Sequence, residues 1–198
     1  CLYSILEQSV SDMEVIVVND GSQDATETIL KSYQQLFPDR LSFRTVENGG
    51  QGRARNIAIE LARGDFIGFV DSDDYIQADM YQTLMNNMKK EDADMSCCGV
   101  YDVYPGRGEM PEEQSDYYVM DDKEAIYAVM EGEIATVSPV NKLYKRALFE
   151  TTRYPEGKDT GEDASVIVEL LAKCDRVVLT TEKKYYYVHR QNSITTRN

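Results

Sequence analysis

Residues 66–74 read Phe-Ile-Gly-Phe-Val-Asp-Ser-Asp-Asp, an apolar run that breaks directly into three carboxylates. The run is short, rich in aromatic and β-branched residues and preceded by Gly64, the pattern of a buried strand. In an open α/β sheet, ligands collect at the carboxyl ends of strands. Asp71 and Asp73 are two residues apart, so an extended backbone points both the same way. Carboxylates facing one way repel unless something positive lies between them, and oxygen-only ligands on a loop suit Mg²⁺ or Mn²⁺. The competing reading is an N-cap for the following helix, which Asp73 or Asp74 could supply, though one aspartate would suffice for that.

Other residues could share such a site. Asn19-Asp20-Gly21-Ser22 follows a second apolar run, residues 14–18 (Glu-Val-Ile-Val-Val). Asp20 could accept hydrogen bonds from a nucleobase N–H and Gly21 permits close approach, although a plain turn reads equally well. Residues 48–56 combine a glycine-rich turn, with exposed N–H groups, and Arg53 and Arg55 at a helix start, a combination that favours an anion. The bland alternative is two surface arginines, but the small-residue stripe after Arg55 suggests that one of the pair points into a cleft. The turn matches neither G-x-G-x-x-G nor the P-loop. Glu162 and Asp163 open a helix and could supply a general base, or simply complement the helix dipole. Residues 141–146 form the one dense basic cluster, and His189, the only histidine, sits between three tyrosines and Arg190 as a structural residue or a metal or phosphate ligand.

The elements that must position these residues alternate. A helix containing Leu2, Ile5 and Leu6 opens the chain, which suggests a segment upstream of Cys1. A strand over 14–18, a helix from about 24 to 37, a strand over 41–46 and a helix over 53–63 follow. Next come the strand over 65–70, a helix over 77–90 and a strand over 94–104 holding Cys97 and Cys98 as small core residues. This is the doubly wound α/β pattern. Beyond residue 104 come a loop (105–114), a helix capped by Asp121-Asp122 and running to Glu131, and a polar loop (154–160). The helix begun by Glu162-Asp163 is followed by two strands over 176–180 and 184–189.

At 198 residues the chain is one domain, or one with a small appendage. A formal net charge of −14 argues against a nucleic-acid partner, because no basic stripe is available to neutralise phosphates. It leaves room for a small anionic ligand beside a local cation. The four cysteines form no C-x-x-C pair, which suggests neither zinc nor a disulfide framework and fits a reducing cytoplasm. No stretch approaches a membrane span.

Together the segments 14–22, 49–56, 66–74, 141–146 and 161–163 resemble the family-2 glycosyltransferases, in that family's order and at similar intervals. The later pieces, Asn-Lys-Leu-Tyr-Lys-Arg and Asn192-Ser193-Ile194-Thr195, resemble bacterial members that build capsules, lipopolysaccharide or wall polymers. The resemblance implies a GT-A (Rossmann-like) α/β fold with a mixed, mainly parallel sheet flanked by helices. Residues 1–104 would bind the nucleotide sugar, and 105–198 would bind the acceptor and carry the base. It implies inverting transfer of a sugar from a nucleotide-diphosphate sugar such as a UDP-sugar, with Mn²⁺ or Mg²⁺, to a saccharide or lipid-linked acceptor. It places the protein in the cytoplasm, or in peripheral contact with the inner face of the membrane. Carried over by position, Asp73 and Asp71 hold the metal, with Asp71 also near ribose and phosphate. Asp20 and Gly21 meet the nucleobase, Arg55 and Lys142 contact the nucleotide, Asp163 is the base and Glu162 its neighbour. The family's usual first strand, ending Pro-Val/Ile-Tyr-Asn, is missing ahead of Cys1. Two rivals are a haloacid-dehalogenase-like phosphatase, with Asp71 as nucleophile, and a non-catalytic nucleotide-sugar-binding domain. The first leaves residues 19–22 unexplained and places Tyr75 where Thr or Val is usual.

Overall fold

Strand β1 (Val15–Asp20) and strand β2 (Leu41–Val46) pair in parallel, in register from Val15↔Leu41 to Asp20↔Val46. Helix α2 (Thr26–Leu36) connects them, making one βαβ unit. These features come from a computed structural model, which describes residues 1–106, 115–132, 134–157 and 161–190, without the side chain of Glu162. The expected loop residues 107–114 and 158–160, and the Asn192–Thr195 motif, lie outside the described residues.

A short helix α1 (Leu2–Leu6) precedes the unit, and α3 (Gln51–Leu61) follows it. The second sheet is ordered β3-β7-β5-β8-β4, with β6 also on β8. Its strands are β3 (Phe66–Gly68), β4 (Tyr75–Ile76), β5 (Met95–Val103), β6 (Tyr117–Met120), β7 (Lys142–Lys145) and β8 (Val177–Val188). Strand β7 runs antiparallel to both β3 and β5, and β5 runs parallel to β8, so the main strands β3, β5 and β8 share one direction. Helix α4 (Met80–Glu91) packs on β5, α5 (Asp122–Glu131) packs on β6, and α6 (Glu162–Leu171) lies against α5. Asp121 caps α5 through a full capping box with Glu124.

Three differences from the sequence expectations have local causes. The two strands expected over 176–180 and 184–189 are one strand, β8, interrupted by a bulge. Cys97 pairs with Leu179 but Gly99 pairs with Lys183, so the polar residues between them are extra length on one side. The Thr181 carbonyl there leaves no room for a Cβ on Gly99. The basic cluster is β7, between β3 and β5, with Lys142 and Tyr144 wholly buried. Strand β3 ends at Gly68 rather than at 70, where its pairing with β7 stops.

The core falls into two clusters. The large one joins Leu84, Met95, Tyr144, Ile167 and Leu170 on both sides of the second sheet. The small one consists of Leu6, Val15 and Leu41 under the βαβ unit. Among the described residues, no strand pairs with the remaining edge of β1 or of β3. A cleft of about 2430 Å³ lies between them, lined by every residue of both strands.

Candidate active site

Helix α3 buries Gly52, Arg55, Asn56 and Ile59, which share one face by helical spacing. Arg55 therefore points inward, while Arg53 lies outside and donates to the Glu47 carbonyl. The Arg55 guanidinium reaches two carboxylates from distant parts of the chain. Its Nη1 donates to Asp163 Oδ1 at 2.5 Å, and its Nη2 to Asp71 Oδ1 at 3.2 Å. The Tyr154 ring lies 5.2 Å from the guanidinium carbon. Burial opposes the charge on Arg55, but Asp71 and Asp163 outweigh it and raise its pKa. Burial pushes the Asp71 carboxyl up, against the pull of Arg55. A carboxylate in the loop after β3 and one in the first turn of α6 thus meet at one buried cation.

Asp20 ends β1 and spends its carboxylate on the glycine-rich turn. Its Oδ1 accepts from Gly49 N–H and its Oδ2 from Gly50 N–H, both at 2.8 Å. The anion those N–H groups attract is the protein's own, which corrects the expectation that the turn is open to a ligand. Asn19 Oδ1 accepts from Ser22 N–H, turning the chain back at Gly21. Gly21 has φ +72°, and a Cβ there would sit 2.8 Å from the Asn48 nitrogen, so this turn needs glycine for both conformation and space.

The three aspartates after β3 take three different environments. Asp71 meets Arg55. The Asp73 side chain is 42% exposed, with Arg190 Nε 4.0 Å from one oxygen. Asp74 is only 1% exposed and does not cap a helix, since α4 begins at Met80. Instead it accepts from the Tyr185 hydroxyl at 2.6 Å and from Val188 N–H at 2.8 Å, clamping the end of β8 beneath the carboxylate loop. Tyr185 in turn accepts from Asp71 N–H at 3.2 Å. Burial, joined by the bond to Asp74, pushes the Tyr185 hydroxyl far up, so it remains a donor. Sequence reasoning missed Tyr185 and Arg190 as parts of this corner. The tyrosine run was visible, but nothing in one sequence tells which of three adjacent rings turns inward.

Lys142 stands differently from its expected place at a ligand. It is fully buried, and its ammonium donates to the Thr136 and Ser138 carbonyls and to Asn141 Oδ1 at 2.6–2.9 Å. Its charge therefore shapes the loop over 136–141, which lines the cleft through Thr136, Val137 and Ser138. His189 Nε2 lies 2.7 Å from Asp102 Oδ1, and its ring stacks on Tyr104 at 4.1 Å, a structural setting. Glu162 is the first residue of α6.

Asp20, Arg55, Asp71, Asp73 and Asp163 all line the same cleft. Among the described residues, no three His, Cys, Asp or Glu side chains converge as a complete cation site. Asp73 and Asp71 nevertheless fit Mg²⁺ or Mn²⁺, because such ions commonly take one or two carboxylates and complete their shell with water and substrate phosphates.

Residues 1–153 match the family described as glycosyl transferase family 2. The chain belongs to that family. It is 32% identical to the glycosyltransferase GlyA of Streptococcus pneumoniae over 98% of its own length and 29% of GlyA. It is also 32% identical to the uncharacterized glycosyltransferase EpsJ of Bacillus subtilis, over 98% of its length and 58% of EpsJ. The crystal structure of Staphylococcus aureus TarS 1–349 in complex with UDP-GlcNAc superposes with a TM-score of 0.82 at 26% identity, covering all of this chain and 56% of that one. The chain thus spans less than two thirds of each of these relatives. The fold is the mixed α/β GT-A fold of TarS. With the family settled, the phosphatase alternative falls: the matched segment holds residues 19–22 and 71–73 together, as the transferase reading expects.

Proposed function

We propose that the protein is an inverting glycosyltransferase that moves a sugar from a nucleotide-diphosphate sugar to an acceptor hydroxyl in cell-surface polymer synthesis. The observation that carries this reading is the meeting of Asp71 and Asp163 at Arg55, which sets a base candidate beside the donor-side carboxylates. TarS supports a UDP-sugar as donor, and its name as a poly(ribitol-phosphate) β-N-acetylglucosaminyltransferase supports a polymer acceptor. Residues 1–104 bind the donor, with Asp20 and Gly21 framing the nucleobase end, and residues 105–198 supply the acceptor side.

In this reading Asp163 takes the proton of the acceptor hydroxyl as its oxygen attacks the anomeric carbon. The bond from that carbon to the diphosphate breaks on the opposite face, so the centre inverts and the nucleoside diphosphate leaves. Glu162 adjoins the acceptor. A divalent cation held by Asp73, with Asp71, would neutralise charge on the departing diphosphate. Arg190, next to Asp73, adds a positive charge on the same side. A cytoplasmic setting, at the inner membrane face when the acceptor is lipid-linked, follows from the donor class; no described helix is long and apolar enough to cross a membrane.

We also propose that one further extended strand, from residues upstream of Cys1, completes the sheet between β1 and β3. Cys1 lines that cleft, with its Sγ 3.5 Å from the Asp71 carbonyl, so a strand leaving the cleft there would run directly into α1.

The test is a panel of nucleotide sugars incubated with the full-length protein and Mn²⁺, reading nucleoside diphosphate release with and without saccharide acceptors. Metal-dependent release from one donor is expected. Binding of a donor without turnover would favour a non-catalytic binding domain, and no binding or turnover with any donor would sink the reading.

A further inference from the structure

The Arg55 side chain is 9% exposed, and both of its terminal nitrogens are taken by the protein's own carboxylates. Two other residues on the same face of α3 hold the segment that leads to α6. Asn56 Nδ2 donates to the Tyr154 carbonyl and Asn56 Oδ1 accepts from Tyr154 N–H, both at 2.9 Å, so the side-chain amide pairs with that backbone as a strand would. Gly52 lies so close that a Cβ would sit 2.7 Å from the Pro155 carbonyl oxygen. The Tyr154 ring then packs against Arg55 itself. Gly52, Arg55 and Asn56 are spaced i, i+3 and i+4, so one turn of one helix carries every one of these contacts.

We infer that Arg55 is a positioning residue: with Gly52 and Asn56 it docks the base-bearing segment onto the donor half and fixes the Asp163 carboxylate, rather than gripping the donor phosphates. The inference rests on the reading of Asp163 as the base. The role differs from that of a nucleotide contact in a measurable way. A phosphate ligand acts on donor affinity and does so whether or not the base is present. A residue that acts through Asp163 leaves donor affinity alone and has nothing left to act on once Asp163 is gone.

The experiment is a double-mutant cycle in the full-length protein, using the donor that the nucleotide-sugar panel identifies. R55Q, D163N and the double variant are compared for donor Kd by calorimetry and for transfer kcat, with circular dichroism confirming the fold. Displacing a catalytic group by about 1 Å costs about a hundredfold in rate, so R55Q is expected to lower kcat by about that factor. Donor Kd should stay within about threefold, and the double variant should be no slower than D163N alone. R55K keeps the buried charge, and where R55Q fails to fold it carries the same cycle. Losses that multiply in the double variant, or a donor Kd raised about tenfold or more by R55Q, overturn the positioning role while leaving the transferase reading intact. A D163N enzyme with undiminished transfer removes the base, and this inference with it.

Discussion

Asp73 and Asp163 stand on opposite sides of the proposed reaction, so their substitutions should fail in different ways. Asp73→Asn is expected to lose the response of turnover to added Mn²⁺, read as rate against metal concentration. Asp163→Asn should bind donor with normal affinity and lose transfer, read by calorimetry beside a product assay. Lys142 gives a third pattern. Of its three acceptors, Asn141 Oδ1 is buried with it, and a buried acceptor left unpaired costs about 1–3 kcal/mol. Lys142→Met should therefore lower the melting temperature, and more donor should not restore its lost activity. A weakened donor Kd at an unchanged melting temperature would return Lys142 to the ligand. The carboxylates, the arginine and the base candidate were visible in the sequence because charged residues clustered at strand and helix ends signal chemistry. Whether a charge faces a ligand or the protein's own backbone was not visible. Asp20, Lys142 and Asp74 each turned inward to hold a loop or a strand end, and no local pattern marks that choice.

Helix α3 and strand β7 show what the elements contribute. Gly52→Ala improves helix propensity, yet its new methyl would press on the Pro155 carbonyl. A rigid backbone neighbour makes that a net loss of about 1–3 kcal/mol, seen in thermal unfolding together with a lower kcat. At the far end of the second sheet, Asp94 ties β7 and β8 to β5. Its Oδ1 accepts from Lys145 Nζ and its Oδ2 from the N–H groups of Asp175 and Arg176. Burial works to raise the Asp94 pKa, but those hydrogen bonds prevail and lower it below the ordinary 3.8. A lowered carboxylate pKa stabilises the fold above the unfolded value, and that stability is lost as pH falls through the folded one. Asp94→Asn should thus cost about 1–3 kcal/mol near neutral pH, and the gap from wild type should close as urea midpoints are taken below pH 3.8. A gap that stayed constant with pH would separate Asp94 from this linkage. The long alternating elements were legible because their periodicity repeats over several turns or pleats. Strands β4 and β6 are two and four residues long, too short for a period to register. Strand β7 was hidden because its lysines look like surface residues until their partners are known.

At the scale of the whole molecule, the order of motifs along the chain pointed to the family, while the division of the core did not show in the sequence at all. The βαβ unit has its own small cluster of Leu6, Val15 and Leu41, joined to the large core through the partly buried Ile5 and Met13. Strands β5 and β8, by contrast, pair along most of their length inside that large core. Cooperative unfolding units follow such divisions of buried contact. The chain of 198 residues should accordingly open in two steps. Amide protons of β1 and β2 should exchange with solvent through partial opening, at a lower free energy than those of β5 and β8, which should wait for global unfolding. Native-state hydrogen exchange under increasing urea reads this directly, and a single common opening energy for all four strands would show instead that α3 welds the two cores into one cooperative unit.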